Sequence, residues 1–229
     1  MEILAIIPAR GGSKRIPRKN IKNFAGQTLL SYSASAALGS KMLSRTILTT
    51  DDKEIRKIGL ELGIEAPFLR PGNLAQDDTP SLPVIFHAVQ TLEDLEGYSP
   101  DIVVILQTTS PLRTSQHIDD ALKTFLNSDA DSLVSVTEVP HNMNPYSVMQ
   151  LQEDGAIRPF LEYDENDNLR QKKPVFYARN GAAIYICTYQ CLMQKNSLYG
   201  DKIVPFFMSK ETSFDLDDEI DWKIAQYFI

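Results

Sequence analysis

The sequence predicts an α/β fold in which a mainly parallel, doubly wound sheet carries helices on both faces. Short apolar segments typical of strands alternate with segments of helical periodicity along the first half of the chain. The first of these strand segments is apolar throughout rather than at every second position, which indicates a strand buried on both faces. At 229 residues, the chain can form one such domain, residues 1–229, and is too short for two ordinary domains.

The predicted elements follow one another in this alternating order. The first, from Glu2 to Pro8, is a buried strand that ends at a glycine-rich turn. Later segments are predicted as helices at residues 28–38, 52–62, 80–95 and 117–126, and as strands at residues 46–50, 102–106 and 132–136. Ligands of such folds bind beyond the carboxyl ends of the strands, so the motifs that follow strands are the candidate functional residues.

An insertion is predicted at about residues 140–173, where the pattern changes to short, alternating and polar pieces. Apolar residues such as Tyr146, Val148, Met149 and Phe160 suggest a hairpin-like excursion that needs a partner surface. A second copy of the chain is the economical partner. An ordinary surface loop is the alternative.

Charge is distributed unevenly along the chain. The net charge is −7, yet residues 1–50 contain eight basic side chains and one acidic side chain. A local basic cluster in an acidic protein favours a compact anionic ligand, because duplex binding needs a broad positive face. The sequence therefore predicts no nucleic-acid partner.

Neither a membrane partner nor an exported location is predicted. The first apolar run, residues 3–7, is too short for a signal-peptide core or a membrane span, which indicates a cytoplasmic protein. Cys187 and Cys191 have neither zinc-ligand nor redox spacing, so we expect reduced, partly buried thiols.

The segment 9–20, ARGGSKRIPRKN, follows the first predicted strand and is the candidate anion-binding loop. Glycines at Gly11 and Gly12 let consecutive backbone N–H groups approach a ligand, and the surrounding lysines and arginines add positive charge. The spacing matches neither the Walker A loop nor the dinucleotide fingerprint. A solvated basic loop is the alternative.

A pair of acidic residues near the other end of the chain is the candidate metal site. Asp215 and Asp217 would point to one side of an extended segment, where they could hold Mg²⁺ together with triphosphate oxygens. Helix capping by residues 217–219 is the alternative, and the residues alone favour it.

Five motifs, taken in their order along the chain, resemble those of the acylneuraminate (CMP-sialic acid) cytidylyltransferase family. They are ARGGSKRIPRKN, LRPGNLAQDD, LQTTSPLRT, RQ followed by NGAAIYI, and DLDDEID. The resemblance covers nearly the whole chain. It implies a Rossmann-like fold of the nucleotide-diphospho-sugar transferase type. It also implies that CTP is coupled to a nine-carbon 2-keto acid sugar, such as sialic, legionaminic or pseudaminic acid, with release of pyrophosphate.

The resemblance also implies roles for individual residues. Arg10 and Lys19 would stabilise the charge that develops during catalysis. Asp215 and Asp217 would bind Mg²⁺ or Mn²⁺, so that the resemblance favours metal binding over helix capping for this pair. The implied nucleotide-binding residues are Arg10, Gly11, Ser13, Lys19, Asn20, Arg70 and Ser81. The implied sugar-binding residues are Gln107, Arg170, Gln171, Asn180 and Tyr185. Arg170 and Gln171 would reach the site of the second subunit of a homodimer.

This sequence departs from the family pattern at three places. Ser147 stands where some members have a lysine near the sugar carboxylate, and an additional alanine in Asn180-Gly-Ala-Ala-Ile-Tyr185 would displace Tyr185 from the sugar. Leu198 and Tyr199 would line an acyl pocket or pack in the core.

An eight-carbon 3-deoxy keto acid substrate and a non-catalytic CTP-binding regulator are the functional alternatives. His87, His117 and His141 lie outside the motifs and are given no role.

Overall fold

The computed structural model describes residues 1–161 and 173–229. Its strands are Ile3–Pro8 (β1), Asn23–Phe24 (β2), Gln27–Thr28 (β3), Arg45–Thr49 (β4), Ile102–Ile105 (β5), Ser132–Glu138 (β6), Met149–Leu151 (β7), Ile157–Pro159 (β8), Tyr177–Arg179 (β9), Tyr185–Thr188 (β10) and Ile203–Phe207 (β11). Its α-helices are Leu29–Leu38 (α1), Lys53–Glu61 (α2), Ser81–Glu96 (α3), Ser115–Leu126 (α4) and Glu219–Ala225 (α5). Short helical turns lie at Lys19–Ile21, Gly72–Leu74, His141–Met143, Gln190–Gln194 and Gln226–Phe228.

Within the described residues, seven strands form the central sheet, in the order β11-β6-β10-β5-β1-β4 with β9 also paired to β6. Strands β4, β1, β5, β6 and β11 run in one direction, and β9 and β10 run in the other. The prediction of an α/β fold with a mainly parallel sheet is therefore confirmed. Strand β10 was not predicted; it lies between β5 and β6 and pairs antiparallel with both.

Alternate side chains of β1 enter two hydrophobic clusters on opposite faces of the sheet. Ile3, Ala5 and Ile7 pack with residues of α1, α2 and α4, whereas Leu4 and Ile6 pack with residues of α3. Both sets are almost completely excluded from water. Burial on both faces explains the continuous apolar run, since each large apolar side chain removed from water contributes about 1.5–3 kcal/mol.

A third cluster joins the two ends of the chain. Leu216 and Trp222 of the C-terminal segment pack against Ile16 and Phe24, which follow β1. The rings of Trp222 and Phe24 meet edge to face with their centroids 4.9 Å apart. This packing holds the C-terminal segment over the loop that follows β1.

Helix α5 begins at an acidic cap. Asp218 accepts hydrogen bonds from the backbone N–H groups of Ile220 and Asp221. The Asp221 carboxylate in turn accepts from the N–H groups of Asp217 and Asp218. The capping role considered from the sequence therefore falls on Asp218, and the Asp217 carboxylate takes no part in the cap.

Helix α4 begins at Ser115, two residues before its predicted start, because of its capping residues. The Thr114 hydroxyl accepts a hydrogen bond from the His117 backbone N–H at 3.3 Å. In return, His117 Nδ1 accepts from the Thr114 N–H at 3.2 Å. His117 thus belongs to the start of this helix.

The described part of the predicted insertion at residues 140–173 contains a hairpin of β7 and β8, with Met149 opposite Pro159. This two-stranded sheet is separate from the central sheet. Residues 162–172 lie outside the described residues, and the predicted sugar-binding residues Arg170 and Gln171 are among them.

The two cysteines are free thiols in the hydrophobic cluster on the α3 face of the sheet. Cys187 and Cys191 are more completely buried than the sequence analysis predicted. Burial raises the pKa of the Cys187 thiol, which keeps it in the unreactive protonated form at neutral pH.

Candidate active site

A cleft of about 590 Å³ lies at the carboxyl ends of β1 and β5. It is the place where most of the predicted site residues meet. The predicted residues that line it are Arg10, Ser13, Lys19, Asn20, Arg70, Ser81, Gln107 and Asp217. Residues from four separate motifs therefore share one cleft.

Asn20 fixes the shape of the loop at residues 9–20. Its side-chain Nδ2 donates a hydrogen bond to the Arg10 carbonyl oxygen at 2.8 Å, and its Oδ1 accepts from the Thr108 hydroxyl at 2.5 Å. Asn20 is buried, with 5% of its surface exposed. Because both ends of the amide have protein partners, the side chain ties the two ends of the loop to the segment after β5.

Gly11 lies against the segment that follows β4, and it does not line the cleft. Its backbone N–H donates to Asp51 Oδ1 at 3.0 Å. A Cβ atom at this position would lie 2.6 Å from Asp52 Oδ2 and 2.9 Å from Asp52 Cβ, so only glycine fits. The predicted nucleotide-binding role of Gly11 therefore stays a prediction, and the observed geometry gives this residue a part in shaping the loop.

Five basic side chains line the cleft: Arg10, Lys14, Arg15, Lys19 and Arg70. Arg10 donates to the Gln76 carbonyl oxygen at 2.7 Å and forms an ion pair with Asp77 at 3.0 Å. Lys14 also pairs with Asp77, and the two cations together lower the pKa of the Asp77 carboxyl, Lys14 having the larger effect. Arg70 is buried, its pKa is lowered by that burial, and its Nε has no hydrogen-bond partner in the described part of the protein.

Lys19 lies between the basic loop and the acidic pair. Its Nζ donates to the Leu216 carbonyl oxygen at 2.7 Å. Burial lowers the pKa of Lys19, and the nearby carboxylates of Asp215 and Asp217 act in the opposite direction. Lys19 therefore places a positive charge close to both the basic loop and the acidic pair.

Asp215 and Asp217 flank Leu216, whose backbone N–H donates to the Thr109 carbonyl oxygen at 2.9 Å. Burial is the main cause that raises the pKa of Asp215, although a hydrogen bond from Thr109 acts against it. Asp215 packs against Gly181, which has a φ of 69° and has no room for a Cβ atom beside the carboxyl group. Asp217 is more exposed and lines the cleft.

The acidic pair has the chemistry of a divalent cation site. Carboxylate oxygens are the ligands that Mg²⁺ prefers, and Mg²⁺ binds through one or two carboxylates together with phosphate and water oxygens. A divalent cation would also offset the unfavourable burial of the Asp215 charge. Across residues 1–161 and 173–229, no group of three or more His, Cys, Asp or Glu side chains could hold a metal ion, so such a cation would need ligands from the substrate.

The predicted sugar-side residues are divided between the cleft and the core. Gln107 lines the cleft. Asn180 is buried. Its Oδ1 accepts a hydrogen bond from Ser135 Oγ at 2.6 Å, and its Nδ2 donates one to Ser213 Oγ at 3.0 Å. Tyr185 is also buried, and burial raises its pKa to about 12. The structure does not bring these two side chains into the cleft.

The predicted acyl-pocket residues differ from each other in their surroundings. Leu198 is buried in the cluster on the α3 face, as the core-packing alternative requires. Tyr199 is partly exposed and accepts a hydrogen bond from Arg179. The centroid of its ring lies 5.9 Å from that of Tyr185, which belongs to the same hydrophobic cluster as Leu198.

Several residues that shape the site were not singled out from the sequence. Thr108 and Thr109 connect the segment after β5 to the basic loop and to the acidic segment, and Asp77 pairs with two of the basic side chains. All three lie in motifs that the sequence analysis quoted, LQTTSPLRT and LRPGNLAQDD. The motifs were therefore a signal for these residues, but their partners could be identified only in the folded chain.

None of the helices in the described ranges is long and apolar enough to cross a membrane.

None of the three histidines, all of which lie within the described residues, lines the cleft. Their placement agrees with the sequence analysis, which gave them no role.

Known proteins resemble this chain over its whole length. A family model described as cytidylyltransferase matches residues 4–221. The post-translational flagellin modification protein B of Campylobacter coli is 36% identical over 228 residues, which covers 100% of this chain and 95% of that protein. A CMP-N,N'-diacetyllegionaminic acid synthase of Campylobacter jejuni is 33% identical, again covering 100% of this chain and 95% of that protein.

A solved structure with the same fold is that of a CMP:2-keto-3-deoxy-manno-octonic acid synthetase complexed with CTP. The TM-score is 0.72 at 16% sequence identity, over 99% of this chain and 98% of that one. At this identity the likeness establishes the fold alone.

The close packing of Gly11 leads to a prediction for the basic loop. Gly11→Ala forces a methyl group against Asp52, and we expect it to lower the free energy of unfolding by about 1–3 kcal/mol and to weaken nucleotide binding. Gly12→Ala is the matched control, because a Cβ atom there meets nothing within 4 Å. Urea unfolding and titration calorimetry with CTP would measure both effects. Equal behaviour of the two variants would contradict the assigned geometry.

Proposed function

This chain belongs to the cytidylyltransferase family, and we propose that it transfers CMP from CTP to the anomeric hydroxyl of a nine-carbon 2-keto acid sugar. Pyrophosphate is the second product. The observation that carries the proposal is the shared cleft, which Arg10, Lys19, Arg70, Gln107 and Asp217 all line. The Campylobacter jejuni relative, a CMP-N,N'-diacetyllegionaminic acid synthase, supports this class of sugar.

The basic residues fit the triphosphate of CTP. Arg10 and Lys19 stand at the two ends of the loop, and Ser13 and Lys14 lie in the same cleft wall between them. A triphosphate carries several negative charges, and cations fixed in advance stabilise the charge that develops on it without rearrangement. Arg70 and Ser81, which line the same cleft, are proposed to hold the cytidine.

The proposed reaction is an in-line displacement at the α-phosphorus of CTP. The anomeric oxygen of the sugar forms a bond to this phosphorus, and the bond to the bridging oxygen of pyrophosphate breaks. Positioning and charge neutralisation supply most of the rate enhancement in such reactions. Arg10 and Lys19 are the residues proposed to act as catalytic residues on the departing pyrophosphate.

Asp215 and Asp217 are proposed to hold Mg²⁺, with Mn²⁺ as the other candidate ion. When bound, such an ion supplies neutralisation of phosphate charge. Asp217 lines the cleft, whereas Asp215 packs against Gly181 and is not among the residues that line it. The positive charge of Lys19 interacts with both carboxylates and offsets part of their mutual repulsion.

The sugar is proposed to enter on the side of Gln107. This residue follows β5 and lines the cleft. Sugar contacts by Asn180 and Tyr185 stay predictions, as do those by Arg170 and Gln171 of a second subunit. A cytoplasmic location is likewise proposed, on the sequence alone.

A homodimer is proposed on the exposed apolar side chains of the hairpin and the neighbouring sheet edge. These side chains are Met149, Leu151, Ile157, Phe160, Val175, Tyr177 and Phe207. Leu151 is 70% exposed and Ile157 is 62% exposed. A group of large apolar side chains at the surface is typical of an interface with another protein chain.

Pyrophosphate release from CTP across a panel of acid sugars tests the proposed reaction. The panel contains sialic, legionaminic and pseudaminic acids together with an eight-carbon 3-deoxy keto acid. We expect Mg²⁺-dependent release with at least one nine-carbon acid and less with the eight-carbon acid. CTP binding without release by any sugar would instead indicate a non-catalytic CTP-binding protein.

Lys19→Ala gives this assay its matched variant. We expect kcat/KM to fall about 10²–10³-fold, because a fixed cation that stabilises the leaving pyrophosphate is lost. Lys22→Ala removes a nearby lysine that pairs with Glu219 at the surface, and it should change the rate little. Unchanged CTP kinetics in Lys19→Ala would refute the assignment of the loop.

Asp215→Asn should separate stability from activity. Burial raises the folded-state pKa of Asp215, so the charged carboxylate destabilises the fold at neutral pH, and its replacement should raise the melting temperature. That gain should disappear as the pH falls below the ordinary carboxyl pKa, where both folded and unfolded wild-type chains are protonated. Added Mg²⁺ and CTP should raise the melting temperature of the wild type more than that of the variant. A lower melting temperature of Asp215→Asn at pH 7 would contradict this account.

Leu151→Asp tests the proposed dimer. A charge at the centre of the apolar group should dissociate the dimer, and light scattering after size exclusion should report the mass of a single chain. Leu60→Asp is the control, because Leu60 is 50% exposed on α2, away from the hairpin. A wild-type protein of single-chain mass at micromolar concentration would be evidence against the interface.

A further inference from the structure

Arg113 is an arginine in the protein core, with 3% of its surface exposed. Its Nη1 donates to the carbonyl oxygen of Gln107 at 2.9 Å and to that of Ala183 at 2.7 Å. Its Nη2 donates to Ser33 Oγ at 2.8 Å. All three acceptors are neutral groups.

No carboxylate forms an ion pair with Arg113 within the described residues, which makes its burial unusual. Burial alone lowers its pKa, to about 9, and this value leaves the guanidinium charged at neutral pH. An ionised side chain in the core is unfavourable by several kcal/mol, and an apolar side chain of similar volume would fill the space without that penalty. The charge therefore requires an explanation beyond packing.

The position of the guanidinium supplies that explanation. Strands β5 and β10 are paired up to Ile105 and Tyr185, and beyond this point a longer bond of 3.4 Å joins the Gln107 N–H to the Ala182 carbonyl oxygen. Arg113 bonds to the chain after β5 and to the chain before β10 at the place where the two strands separate. It is a cross-link between the two segments that form this edge of the cleft.

Gln107 is the first residue of the segment that reaches the cleft. Its carbonyl oxygen accepts a hydrogen bond from Arg113 Nη1, and Ser33 Oγ also lies 3.5 Å from this oxygen. With the main chain fixed on this side, the side chain of Gln107 lines the cleft. Thr108 and Thr109, which follow it, are held by other partners, Asn20 and Leu216.

We propose that Arg113 is a positioning residue for the acid-sugar substrate, because it holds the main chain of Gln107 against β10 and so sets how the Gln107 side chain enters the cleft. This inference rests on the proposed function. It assigns Arg113 no contact with the substrate. The basic loop is anchored by Asn20 and Lys19, which bond to Thr108 and Leu216 and not to Gln107 or Arg113, so we expect CTP binding to depend less on Arg113 than sugar binding does.

A double-mutant cycle between Arg113 and Gln107 tests this. Arg113→Met should raise the KM for the acid sugar about tenfold and leave the KM for CTP within about twofold. The effects of residues that share one hydrogen-bond network are not additive. Arg113→Lys, which keeps the charge but has fewer donors, should give a smaller increase. In a Gln107→Ala background, Arg113→Met should produce no further increase.

Two further variants separate positioning from general loss of stability. Ser33→Ala removes one acceptor of Arg113 without enlarging the side chain, and it should give a small increase in sugar KM that also disappears in the Gln107→Ala background. It serves if Arg113→Met does not fold. Leu122→Ala creates a cavity in the core at a residue of α4 that does not line the cleft, and it should lower the melting temperature with both KM values unchanged.

The outcomes distinguish the inference from the function on which it rests. An active wild type in which Arg113→Met raises the sugar KM equally in both backgrounds, or raises the CTP KM in parallel, overturns the inference alone. A wild type that releases no pyrophosphate with any acid sugar overturns the proposed function, and the inference with it.

Discussion

The peptide group of Leu216 is the point at which the two ends of the chain and the central sheet are joined. Its N–H donates to Thr109 after β5, and its carbonyl oxygen accepts from Lys19 after β1. Its side chain is completely buried in the cluster that joins the C-terminal segment to residues that follow β1. Because alternate residues of an extended segment point to opposite sides, fixing Leu216 toward the core fixes its two acidic neighbours on the other side. The cleft, the cation beside it and the acidic pair therefore depend on one residue that has no functional group of its own.

Three charged side chains of the site are held less favourably than they would be in water. Burial lowers the pKa of Lys19 and Arg70 and raises that of Asp215, so every one of these shifts disfavours the ionised form. Such a combination in one cleft is typical of a site that binds a charged ligand, since a ligand of several charges can supply the missing partners. The protein stabilises the arrangement elsewhere, through the apolar clusters on both faces of the sheet.

The sequence predicted the parts of this structure that local pattern determines. The buried β1 follows from an unbroken apolar run, and the loop after it follows from glycines and positive charge. The direction of β10 could not be predicted, because Tyr185–Thr188 is an apolar run like the others and its direction depends on the path of the chain before it. The same limit applies to Asn180, whose motif fixes its position along the chain, whereas its burial between Ser135 and Ser213 depends on tertiary packing. For Gly11, the pattern identified the need for glycine, and the folded chain adds a cause that the pattern did not contain, the close approach of Asp52.

The reversed direction of β10 has a consequence for the cleft. In a wholly parallel sheet, each strand brings only the segment at its carboxyl end to the ligand-binding edge. An antiparallel strand instead brings the segment that precedes it, here residues 180–184, to that edge. Gly181 and Ala182 have φ values of 69° and 60°, so this segment turns sharply before β10 begins, and the turn leaves the space against which Asp215 packs. Gln107 and Asp215, which are more than 100 positions apart in the sequence, are thus supported by neighbouring residues of the same turn. The polar sides of the cleft can approach each other because β10 runs antiparallel to both of its neighbours, β5 and β6.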